Sequence, residues 1–145
     1  MPRPAEYENL IRTKAFDPVA PTPGAIAGFL RNAADYKATA DELDPARHLQ
    51  VFTLAYEGYF QVVQAILEFH EVRTKDAGRN LAIQRVSTSL GVNPQEFAFI
   101  TKAHERRNGT SYVSPFPPVS KAEAATMLGI LAKYLPVAHA LTGTP

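Results

Sequence analysis

The stretch 48-HLQVFTLAYEGYFQVVQAILEF-69 decides the fold. Taken with its flanks from 45 to 72, its polar positions are Gln50, Thr53, Glu57, Gln61, Gln64, Glu68 and Glu71. They recur every three or four residues, which is one narrow stripe along a helix of 3.6 residues per turn. The remaining surface is filled by Val51, Phe52, Leu54, Tyr56, Tyr59, Phe60, Val62, Val63, Ile66, Leu67 and Phe69. A helix apolar around most of its girth packs on several sides, so this segment is the central helix of a bundle or one that also meets a second subunit. Gly58 costs about 1 kcal/mol relative to alanine in a helix interior, and its presence predicts a close helix crossing. Glu57 and Glu68 or Glu71 are too far apart for one acid/base pair and read as a solvated stripe.

Helix starts on either side complete the pattern. Thr22 before Pro23, Asp44 before Pro45 and Asn93 before Pro94 each place a cap-type residue ahead of a proline. Ser120 with Glu123, and Asn93 with Glu96, have capping-box spacing. The expected helices lie near 5–14, 23–42, 45–72, 78–90, 94–108 and 120–142. No stretch reads better as a strand, and no repeat is visible. Short connections such as 73-RTKDAG-78 favour antiparallel neighbours. The fold class is therefore all-α: an antiparallel four- to five-helix up-and-down bundle with a short N-terminal helix. Residues 1–22 form an N-terminal helix and proline-rich arm, and 23–145 the bundle. Ala124, Met127, Leu128, Leu131, Leu135, Ala138 and Leu141 give the last helix a core stripe, and Pro136 is expected to kink it or end it early.

Composition narrows the function. The 145 residues include 46% hydrophobic side chains, enough for a core in one domain. Fifteen basic and fourteen acidic residues leave a net charge of +1, so any anion binding comes from a local cluster rather than from the whole surface. The absence of cysteine excludes disulfides, thiolate chemistry and a cysteine-based zinc site. No apolar run approaches 18 residues, which predicts no membrane span. The N-terminus, MPRPAEYENL, lacks the apolar centre of a signal peptide, and a cytoplasmic location is expected. Nucleotide-binding glycine loops, HExxH and serine-nucleophile elbows are missing, and no cofactor or metal is expected. His48, His70 and His139 read as packed or surface histidines. Tyr56, Tyr59, Phe60 and Phe69 could line a small-molecule pocket, but an ordinary aromatic core is the preferred reading.

The chemistry gathers in 103-AHERRNGTSYVSPFPP-118. His104, Arg107 and Asn108 share a helix face at spacings of three and four. Gly109 either ends the helix or lets it continue toward Tyr112, which stays near Arg107 in both cases. Cations at a helix C-terminus have a simple electrostatic explanation. Yet Asn108, Thr110, Ser111 and Tyr112 add neutral donors and acceptors beside guanidinium groups, and arginine can hold a phosphate through two parallel hydrogen bonds.

At 106-RRNGTSY-112, together with the long aromatic helix 48–69, the chain resembles the HEPN superfamily over roughly 23–142. Its motif is an arginine, often followed by a polar residue such as asparagine, then four to six residues, then a histidine. Arg107 and Asn108 match its start, and Tyr112 stands where the family has histidine. The resemblance implies a homodimer whose two motifs face one cleft, and metal-independent RNA cleavage in which the 2′-hydroxyl is the nucleophile. It assigns Arg107, Asn108 and Tyr112 to catalysis, with Arg106 and His104 beside them in RNA or nucleotide binding. Outside the family pattern, His104 lies one turn before Arg107 and has the ordinary pKa range to stand in as base. It also implies a place in toxin–antitoxin or defence systems. The alternative is a protein–protein bundle, with an exposed 115-PFPP-118 loop, that binds a nucleotidyltransferase-type antitoxin partner.

Overall fold

The computed structural model describes residues 3–75, 78–114 and 116–145, with the backbone alone for 110–112. The elements are α1 (Ala5–Arg12), β1 (Phe16–Pro18), α2 (Ala25–Glu42), α3 (His48–Phe69), β2 (Val72–Thr74), α4 (Arg79–Leu90), α5 (Pro94–Tyr112) and α6 (Lys121–Thr142). The protein is 72% helical, an all-α bundle with a short N-terminal helix.

The axis is α3, with α2 and α6 packed along it and against each other. Phe52, Ala55, Tyr56, Tyr59, Val62, Val63 and Ile66 of α3 are all buried, on more than one face, as its near-continuous apolar girth predicts. The close crossing expected at Gly58 is present. A Cβ there would lie 2.7 Å from Leu131 Cδ2 of α6 and 3.0 Å from Tyr36 Cβ of α2. On the flank, α4 and α5 pack on each other, and both touch α3.

Both capping boxes form. Asn93 Oδ1 accepts the Glu96 amide and Ser120 Oγ accepts the Glu123 amide, with each glutamate returning to its cap residue's N–H. Two other expected starts are turns. Asp44 Oδ1 accepts the Ala46 N–H at 2.9 Å, and α3 begins only at His48. Thr22 gives its N–H to Glu68 Oε1 at 2.7 Å, while α2 begins after Gly24 at φ 81°. That contact corrects the solvated-stripe reading, because Glu68 is buried and holds the link before α2. Pro136 does not end the last helix, which continues to Thr142 and stops at Gly143 in the left-handed conformation.

A two-stranded ribbon also departs from the all-helical expectation. Phe16, Asp17 and Pro18 pair antiparallel with Thr74, Arg73 and Val72. Three residues per strand are too few for alternation to register in sequence. Arg3 adds to this junction by donating from Nε to the His70 carbonyl (2.8 Å) and from Nη2 to the Glu71 carbonyl (3.1 Å). Tyr7 and Phe16 belong to the same buried cluster as α3. One further correction concerns α6. An 18-residue window of it reaches a mean hydropathy of 1.3, long and apolar enough to cross a membrane by length and composition. Scattered Lys121, Glu123 and Lys133 interrupt any apolar run, yet the alanines and leucines between them keep the average high. Its Met127, Ile130, Leu131, Tyr134 and Ala138 are buried within the bundle.

Candidate functional site

Three helices bring polar groups to one half-buried patch: Tyr56 and Glu57 from α3, Arg79 from α4, and His104, Arg107 and Asn108 from α5. Arg107 and Asn108 both lie one turn after His104 on α5, as their spacing requires. Gly109 does not end α5, which runs on to Tyr112.

A chain of hydrogen bonds orders the α5 side chains. Arg107 Nη1 donates to Asn108 Oδ1 at 3.2 Å. This turns the Asn108 amide so that Nδ2 faces His104 Nε2 at 3.3 Å. An amide nitrogen only donates, so Nε2 accepts and the ring proton sits on Nδ1. Nδ1 then donates to the Tyr56 hydroxyl at 2.7 Å. His104 is thus a neutral imidazole with its basic nitrogen on the Asn108 side. Burial holds its pKa below the usual histidine value, helped by the positive charges of Arg79 and Arg107. Burial likewise raises the Tyr56 phenol and keeps it protonated.

Both guanidinium groups converge on a single carboxylate oxygen. Arg107 Nη2 lies 3.0 Å and Arg79 Nη1 3.4 Å from Glu57 Oε1. Aromatic rings support the two heads. The Arg79 guanidinium stands 3.9 Å from the Phe60 centroid and 6.0 Å from that of Tyr56, and Arg107 is 5.8 Å from Tyr56. The three charged side chains keep 35% (Arg79), 22% (Arg107) and 19% (Glu57) of their surface open to solvent, so the patch is reachable from outside.

Sequence reasoning assembled His104, Arg107 and Asn108 correctly as neighbours. It placed Arg106 among the binding residues, and the structure shows that side chain in a paired contact with Glu123, 2.8 Å from Nε and 3.2 Å from Nη2. This pairing holds the Glu123 carboxyl below its ordinary pKa. The Tyr112 side chain lies outside the described residues. Arg79 was not singled out and Glu57 was read as part of a solvated stripe, because both reach the patch from other helices.

The chain matches no protein-family model and no curated protein.

Among the described residues no three His, Asp or Glu side chains converge in a way that could hold a metal ion. Tyr56, Tyr59 and Phe60 are packed into the core, with the Tyr59 hydroxyl 2.6 Å from Ser87 Oγ, which favours the aromatic-core reading over a ligand pocket.

Proposed function

We propose that the protein is a HEPN-like helical bundle that binds RNA or a nucleotide through its phosphate at the Arg79–Arg107–His104 patch, as a homodimer in which two such patches share a cleft. The observation that carries this reading is the convergence of two ring-supported guanidinium groups beside a neutral imidazole. Guanidinium forks match phosphate oxygens in shape and charge. A neutral imidazole is the state a general base requires. The same arrangement supports metal-independent transesterification of RNA. Once the substrate displaces the Asn108 amide from it, His104 Nε2 accepts the 2′-hydroxyl proton, the 2′-oxygen bonds to phosphorus, and the 5′-oxygen leaves with a proton from solvent. The two arginines carry the charge that builds on the phosphate oxygens. A role in a toxin–antitoxin or defence system belongs to this reading.

The test is binding and cleavage of single-stranded RNA in EDTA, with Arg107→Ala in parallel. The expected result is RNA binding that falls at least about tenfold in the variant, since hydrogen bonds to charged groups contribute about 1.5–3 kcal/mol. Because few phosphates are contacted, the salt dependence should be shallow, with a log–log slope of about −1 to −3. Equal binding by both proteins would remove the patch from consideration.

A second reading is favoured by a separate observation. Val113 and Phe116 are exposed beside an open groove of about 620 Å³ between α5 and the start of α6, floored by Phe99 and Ala103. An apolar patch of this kind suits a protein partner of the nucleotidyltransferase antitoxin type. Under this reading Phe116→Ser abolishes co-purification of the partner and leaves RNA binding unchanged.

A further inference from the structure

Glu57 lies on the narrow polar stripe of α3, between Thr53 and Gln61, on a helix whose remaining surface is aromatic and aliphatic. Its Oε1 sits where both guanidinium groups point, 3.0 Å from Arg107 and 3.4 Å from Arg79. A carboxylate and a phosphate offer similar oxygen pairs to a guanidinium fork. We infer that Glu57 is a built-in competitor: its carboxylate occupies the phosphate position, and an incoming anion must displace it to bind. This rests on the reading of the patch as a phosphate site and adds its regulation.

Two features separate a competitor from a simple tie between helices. First, the arginine heads have supports other than Glu57, including the Asn108 Oδ1 contact of Arg107 at 3.2 Å. Arg79 is seated on the Phe60 ring and Arg107 leans toward Tyr56, and both rings are buried in the core. Removing the carboxylate therefore leaves two preorganised cations rather than two collapsed ones. Second, all three charged side chains remain partly open to solvent, so an anion can reach the arginines and the glutamate can swing outward into water at modest cost. Charge arithmetic agrees. Two guanidinium groups and one carboxylate leave the resting patch at +1, and displacement of the carboxylate exposes the full +2 to the ligand. Affinity is thereby held down in the resting protein, and discrimination falls to ligands that engage both arginines at once.

The experiment is fluorescence anisotropy of a labelled single-stranded oligouridylate with wild type, Glu57→Gln, Glu57→Asp and Arg107→Ala. Glutamine keeps the shape and removes the charge, so it should tighten binding roughly two- to fivefold, the scale set by one partly exposed ion pair. Aspartate, one methylene shorter, should give a smaller gain in the same direction. A tie between helices predicts the reverse, with both variants binding no better than wild type or more weakly. That result, alongside a loss in Arg107→Ala, would overturn the competitor and leave the phosphate site standing. No binding by any of the four proteins would overturn the site, and the competitor with it. Should Glu57→Gln fail to give a cooperative thermal melt, the aspartate variant decides in the same way.

Discussion

Tyr56 shows how much one side chain can connect. Its ring is buried against α3's neighbours, its hydroxyl accepts the His104 Nδ1 proton, and its face lies within 6.0 Å of Arg79. Tyr56→Phe keeps the packing and leaves the Nδ1–H without its acceptor. A buried hydrogen bond lost in this way costs about 1–3 kcal/mol. The expected outcome is a lower melting temperature, with the His104 ring signal in NMR no longer confined to one tautomer. An unaltered His104 signal would place its proton on the other nitrogen. The residue scale was also where sequence reasoning reached furthest and then stopped. The 3–4 spacing of His104, Arg107 and Asn108 is a local property and could be read directly. Glu57 and Arg79 join them only through the packing of three helices, which no spacing within one helix encodes. Arg106, adjacent to Arg107, is carried about 100° around α5 by helix geometry, and so meets Glu123 instead.

At the scale of elements, Gly58 sets the distance between α3 and its two partners. A methyl group there would meet Leu131 at 2.7 Å and Tyr36 at 3.0 Å, and Leu131 is fully buried with little room to yield. Overpacking costs about 1–3 kcal/mol, set against a gain of about 1 kcal/mol in helix propensity. Gly58→Ala should therefore lose up to about 2 kcal/mol, read as a lower midpoint in urea at unchanged slope. A stabilised variant would mean that α6 slides to accommodate the methyl. Helix positions were legible because apolar periodicity and reciprocal caps act within single elements. Asp44–Pro45 and Thr22–Pro23 were misread as starts because turns use the same side-chain chemistry as caps. The β1–β2 ribbon escaped notice because each strand is only three residues long and draws its stability from its partner.

The molecule as a whole should be sensitive to mild acid. Both His70, its ring tilted against that of Tyr7 at 4.6 Å, and His104 have pKa values lowered chiefly by burial. The unfolded chain takes up protons near the ordinary histidine pKa of about 6.5, before the folded protein does. Stability is thus unaffected by these groups above that pH and declines as pH falls below it, until the folded pKa values are passed. Glu96 and Glu123, whose pKa values are lowered, add their own losses only further down, below the ordinary glutamate range. Thermal melts between pH 7.5 and 5 should fall progressively, and His70→Gln with His104→Gln should flatten the profile. A flat profile in the wild type would show that neither ring resists protonation in the fold.

The ribbon that joins β1 to β2, with Arg3 closed over the end of α3, also sets an order of assembly. Phe16 cannot find Thr74, nor Arg3 the carbonyls of His70 and Glu71, until the hairpin of α2 and α3 has brought the far end of α3 back. On an emerging polypeptide, the segment 3–18 is made before this hairpin and yet settles after it. It waits as an unattached leader while the hairpin forms behind it, and then seals the structure by docking Tyr7 and Phe16 into the core.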